Sequence, residues 1–161
     1  MQRIVPTIWF DHVAAEAAEF YASVFPGGRV TATQHYPTEG LPDFQKEYAG
    51  LPLTVEFEIA GYRLIAINAG PEFPVNQSIS FMLNFDPAFD PQAREHLDEL
   101  WAALSEGGRV LMPLDAYPFS SRYGWVADRY GVTWQLMLTD PAGEPRPFVI
   151  PSLLFSGPAQ N

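Results

Sequence analysis

The chain repeats itself. Val13, Ala17, Phe20, Tyr21 and Val24 form an apolar stripe at helical spacing. Ala93, Leu97, Leu100, Trp101 and Leu104 form the same stripe, each residue 80 positions later. Both stripes run into one tetrapeptide, Gly27-Gly28-Arg29-Val30 and Gly107-Gly108-Arg109-Val110. Two amphipathic helices with glycine stops would be ordinary. An identical tetrapeptide at the same offset argues for a duplicated unit.

The flanking residues extend the repeat. Each helix follows an apolar run ending in Phe-Asp, Ile4 to Asp11 and Ile79 to Asp86. Asp11 and Asp90 are expected to cap the two helices, with Pro91 at the favoured first position of the second. Strand-like stretches near Val30–Tyr36 and Val110–Asp115 follow, then a hairpin in each half. Leu53 to Ala60 and Tyr62 to Asn68 flank Gly61, whereas Arg122 to Arg129 and Val132 to Thr139 flank Tyr130-Gly131. Thr54, Glu56 and Glu58 alternate with Val55, Phe57 and Ile59, which predicts a strand with one wet face. The fold class is therefore α+β, with two βαβββ units over about residues 3–70 and 77–139. The units are expected to form one domain over residues 1–139, a curved, cup-like, eight-stranded mixed sheet whose concave side has the size of a ligand pocket. Residues 140–161 form an extension in which Phe148–Phe155 repeats the pattern of Arg3–Phe10. That segment reads either as an apolar tail docking on the body or as an orphan first strand of a third unit, adding to a free sheet edge in this subunit or a partner.

Composition narrows the function. The 161 residues carry 9 Lys+Arg against 19 Asp+Glu, a formal net charge of −10, and no Cys. A 47% hydrophobic, 17% charged chain is not disordered. Without Cys there is no disulfide scaffold and no thiolate metal site. One Lys and eight scattered Arg give no footprint for a nucleic acid. No apolar run spans a membrane and MQRIVPTIWFD is not a signal peptide, so a cytoplasmic protein is expected.

The stretches IVPTIWFD, AAEAAEFYASVFPGG, GYRLIAINAGPEFPVNQSISFML, LWAALSEGG and YGWVADRYGVTWQLML resemble the vicinal oxygen chelate superfamily, home of glyoxalase I, bleomycin-resistance proteins and extradiol dioxygenases. Within it they resemble the PhnB-like group, often labelled by its likeness to demethylubiquinone methyltransferase. The resemblance covers about residues 3–139. It implies a glyoxalase-like fold and a homodimer, with the Pro37–Pro52 insert and the C-terminal strand as the expected contacts. It also implies four positions where the superfamily holds a divalent metal with His and Glu. On this chain they fall on Pro6, Asn68, Ser78 and Gln135. None offers an imidazole or carboxylate, so no metal and no cofactor is expected.

The candidate pocket is accordingly uncharged: Ile8, Asn68, Ser78, Ser80, Trp125 and Gln135. If position 6 faces the cup, Ile8 and Phe10 do too, and Thr7 and Trp9 face the helix. Of the three histidines, His35 is the one a strand can point inward, whereas His12 and His96 read as surface residues. Glu56 and Glu58 read as a wet strand face, and Asp128 as bonding a turn or an Arg. No GxGxG turn opens a helix, so methyl transfer in the common S-adenosylmethionine fold is not expected. The reading is a metal-independent small-molecule binding or processing protein, with catalysis left open. The alternatives are a divalent-metal isomerase, lyase or dioxygenase, and a dimerising module without chemistry.

Overall fold

A computed structural model describes residues 2–155; the last residues of the predicted extension, 156–161, lie outside the described residues. The chain divides into two compact units, Met1–Val75 and Asn76–Asn161. The first contains β1 (Thr7–Asp11), α1 (Ala14–Val24), β2 (Arg29–His35), a 3-10 turn (Asp43–Tyr48), β3 (Pro52–Ile59) and β4 (Tyr62–Ala69). Its strands lie in the order β1-β4-β3-β2, with β1 parallel to β4. The second contains β5 (Ile79–Phe85), α2 (Ala93–Ser105), β6 (Arg109–Tyr117), β7 (Ser120–Ala127), β8 (Thr133–Leu138) and β9 (Val149–Leu153). Its order is β6-β7-β8-β5-β9, with β5 parallel to β8. The βαβββ connectivity thus occurs twice, and β9 adds antiparallel to the outer edge of β5. No helix among the described residues is long and apolar enough to cross a membrane.

The repeated tetrapeptide has a steric role. Gly27 and Gly107 take positive φ, 61° and 72°, which ends each helix at little cost. A Cβ on Gly28 would strike the carbonyl of Ala22, and one on Gly108 that of Ala127. The chain leaves each helix against backbone and has no room for a side chain there.

In the first unit α1 packs on the face carrying Val55, Phe57, Leu64 and Ala66. Tyr21 stacks on Phe57 with centroids 5.5 Å apart, and Phe57 lies opposite Leu64. Ile8 is opposite Ala66 and Phe10 opposite Asn68, so both belong to this helix-covered face. This corrects the expected orientation of β1: Trp9 points the other way, and its Nε1 donates to Gly70 O at 2.7 Å. A one-residue slip in a strand exchanges its faces.

The helix starts also differ from expectation. Asp11 pairs with His12 at 2.5 Å instead of capping α1. The first N–H of α1, at Ala14, is accepted at 3.2 Å by Asn68 Oδ1 from β4. Asp90 binds Gln92 N at 3.0 Å and His96 Nδ1 at 2.6 Å, closing the turn that leads into α2. Pro91 sits in that turn, ahead of the first α-helical residue, Ala93.

In the second unit Gly124 of β7 lies under α2, where a Cβ would come within 2.5 Å of the Trp101 ring. Arg122 reaches Asp98 of α2 at 2.8 Å. The β7–β8 connection is longer than the two residues expected. Asp128 closes it, its N–H donating to Val132 O at 2.9 Å. Its carboxylate, 4% exposed, accepts from Tyr130 N, Val132 N and Trp134 Nε1 at 2.8, 3.1 and 2.8 Å. The turn-bonding reading of Asp128 is the one observed.

Two outcomes follow from these contacts. Asp128→Asn turns an acceptor-only group toward three donors with half its capacity, and should cost about 2–3 kcal/mol in urea unfolding. The second concerns His96, which is raised above its ordinary 6.5 by its hydrogen bond to Asp90. Asp90 is lowered from 3.8 by His96 and by Gln92 N–H. The imidazolium's contribution to stability is present below its ordinary pKa and is lost as pH rises through the raised value. The carboxylate's contribution is present above its ordinary pKa and is lost as pH falls through the lowered value. The pair therefore acts between those limits. A histidine NMR titration should place His96 above 6.5, and Asp90→Asn should bring it back down.

Candidate functional site

The strand faces of the second unit are fixed by α2. Gly124 and Arg122 contact the helix, and register puts Leu136 opposite Gly124 and Trp134 opposite Val126. The intervening residues, Tyr123, Trp125, Gln135 and Met137, therefore face away from α2. Gln135 is opposite Met82, and Trp134 opposite Phe81, so Ser80 and Met82 share the helix-free face.

A hydrogen-bond chain runs across this face. Tyr123 Oη donates to Gln135 Oε1 at 2.7 Å, and Gln135 Nε2 donates to Ser80 Oγ at 2.5 Å. Burial, with a smaller effect of Tyr117, raises the Tyr123 phenol above its ordinary value, so it stays protonated at neutral pH. Trp125 lies opposite Gln135, and its Nε1 is buried without a hydrogen-bond partner. Tyr117 and Phe119 extend the apolar side, each edge-on to Tyr123 with centroids 5.6 and 5.0 Å away. A cavity of about 110 Å³ opens beside Phe119 and Met137, bounded by Asp140, Glu144 and Arg146. That is smaller than the several hundred Å³ of a typical ligand pocket.

The sequence-derived residues separate into groups. Ser80 and Gln135 are directly bonded and Trp125 adjoins them. Ser78 precedes β5, exposed, with its N–H on Asn76 Oδ1 at 2.9 Å. In the first unit, Ile8 and Asn68 lie on the face under α1, where Asn68 holds the helix start. His35 ends β2, exposed and opposite Pro52. Tyr123 was missed, although it sits two residues before Trp125 on the same strand and so had to share its face. The two first strands correspond: with Phe10-Asp11 aligned on Phe85-Asp86, Ile8 is the counterpart of Leu83, which is fully buried.

The residues present do not fit the divalent metal that the resemblance implies. Ser80 and Gln135 are neutral, and the described residues contain no group of three or more His, Cys, Asp or Glu able to hold an ion. His12 and His96 are each engaged by a neighbouring aspartate. Neutral amide and hydroxyl oxygens are weak donors for first-row metals.

A family model described as 3-demethylubiquinone-9 3-methyltransferase matches residues 2–137. Among solved structures, the chain is similar to the PhnB protein from Bacillus cereus, with 28% identity and a TM-score of 0.72 over 86% of this chain and 100% of that one. It is similar to protein PA1353 from Pseudomonas aeruginosa, with 25% identity and a TM-score of 0.70 over 86% of this chain and 98% of that one. A glyoxalase-related enzyme from Fulvimarina pelagi shares the fold, with 18% identity and a TM-score of 0.54 over 97% of this chain and 100% of that one. The comparison with curated proteins finds no match. The duplicated α+β architecture is thus glyoxalase-like, and the chain belongs to the PhnB-like family described as 3-demethylubiquinone-9 3-methyltransferase.

Proposed function

We propose that this protein binds a small molecule on the helix-free face of its second unit and does so without a transition metal. The observation that supports the reading is the Tyr123–Gln135–Ser80 chain, which surrounds Gln135, one of the four positions that the resemblance implies for metal ligands, with neutral hydrogen-bonding groups. Gln135, Met82 and Trp125 are only partly buried, so this face reaches solvent through them. The family's descriptive name does not extend to methyl transfer by the common route. Neither sheet is doubly wound, and the glycine pairs follow helices instead of opening them. Mass spectrometry of the protein as isolated should find a co-purified organic compound, and elemental analysis should find metal well below one equivalent. Stoichiometric Zn, Ni, Mn or Fe would overturn the reading.

The same reading includes a homodimer. It is supported by β9, which ends the order of its sheet with exposed Leu153 and is followed by exposed Leu154 and Phe155. Sedimentation equilibrium should return twice the chain mass, and Leu153→Asp with Phe155→Asp should return the single-chain mass.

A further inference from the structure

We propose that the ligand of this face is an uncharged carbonyl compound with an apolar body. The proposal rests on the binding site just described and adds the chemical class of what it takes.

The first argument is hydrogen-bond arithmetic. The chain holds two hydroxyl protons but only one amide oxygen to receive them. With Tyr123 donating to Gln135 Oε1 and Gln135 Nε2 donating to Ser80 Oγ, the Ser80 proton has no protein acceptor among the described residues. If the amide turns over, Ser80 donates to Oε1, Nε2 donates to Tyr123, and the spare proton moves to Tyr123. Either way one donor is left over. Ser80 is 2% exposed and Tyr123 5%, so water does not freely serve them. Beside them Trp125 Nε1, which can only donate, is buried and unpaired. The two unmet donors around this amide call for an acceptor atom from the ligand, as a carbonyl oxygen supplies, while the unmet acceptor of this face, Asn84 Oδ1, lies farther along β5 opposite Met137.

The second argument is charge. On the three inner strands, β5, β7 and β8, every side chain on this face is uncharged. Charge beside the face comes from the edge strand, where Arg109 lies opposite Ala127 and Asp115 opposite Tyr123, and from Asp140, Glu144 and Arg146 around the cavity at Met137, so carboxylates outnumber cations there. A carboxylate or phosphonate set against the inner strands would lose its hydration with no cation on those strands to replace it, in a chain of net charge −10. Met82 and Met137 flank the polar chain along the strands and supply adaptable, polarisable contact for an apolar body.

The test uses a matched pair of probes, 1-acetonaphthone and 1-naphthoate, which share a ring system and differ in charge. The indole N–H signal of Trp125, assigned with Trp125→Phe, reports occupancy in a ¹H–¹⁵N titration of the full chain. The ketone should shift that signal saturably and bind at least about tenfold more tightly than the carboxylate. Gln135→Leu and Ser80→Ala should each weaken the ketone about tenfold. If the carboxylate binds as tightly or more tightly, the uncharged class is wrong while the site stands. If neither probe moves the Trp125 signal at millimolar concentration, site and class both fall. The comparison of the two probes on the unmodified protein does not depend on whether the variants fold.

Discussion

A buried carboxylate survives only where donors replace its water, and Asp128 has them: two N–H groups of its own turn and the indole of Trp134. The consequence reaches past the turn. Holding the Trp134 indole on the α2 side sends the next side chain, Gln135, to the opposite face. The β7–β8 register that Asp128 closes sets Trp125 opposite Gln135 and Tyr123 opposite Met137. A structural carboxylate on one side of the sheet thereby places the uncharged hydrogen-bonding surface on the other.

The helices impose the complementary constraint. The Trp101 ring lies close on β7 at Gly124, and a methyl group there would meet it. Close contact between α2 and the sheet leaves β5, β7 and β8 with one dry face and one free one. The first unit reaches the same result with different parts, stacking Tyr21 on Phe57 and using an amide from β4 to hold the start of α1. Duplication has kept the connectivity and the Gly-Gly exits, and has let the side chains that lock each helix diverge.

Most of the architecture was legible because it is periodic. Helical stripes, alternating strands and the repeated tetrapeptide are local patterns, and all eight strands of the repeat appear near their expected places. What was not legible depends on register or on distant partners. The side of β1 on which Ile8 lies depends on its register with β4, which the position of the neighbouring helix does not fix. Asn68 gave no sign that it would accept a hydrogen bond from Ala14, 54 residues away. Asp11 had the expected residue type for a cap but is taken by the adjacent His12. In the second unit the resemblance points to Ser78 and Gln135; Ser78 precedes β5, and it is Ser80, two residues on, that Gln135 bonds across β5 and β8. Tyr123, the third member of the chain, carries no motif that marks it in the sequence.

The position of β9 bears on how the protein is made. The strands of the first unit are all contained in residues 7–69, so its sheet can close as soon as that stretch leaves the ribosome. The sheet of the second unit has a partner for the β5 edge only when Val149–Leu153 emerges, some 70 residues after β5 itself. During synthesis the β5 edge therefore waits, with its backbone donors and acceptors open to any passing strand. Pro151 removes one backbone donor from β9, which makes the last strand a poorer backbone template for further pairing while it seals the edge that was exposed longest.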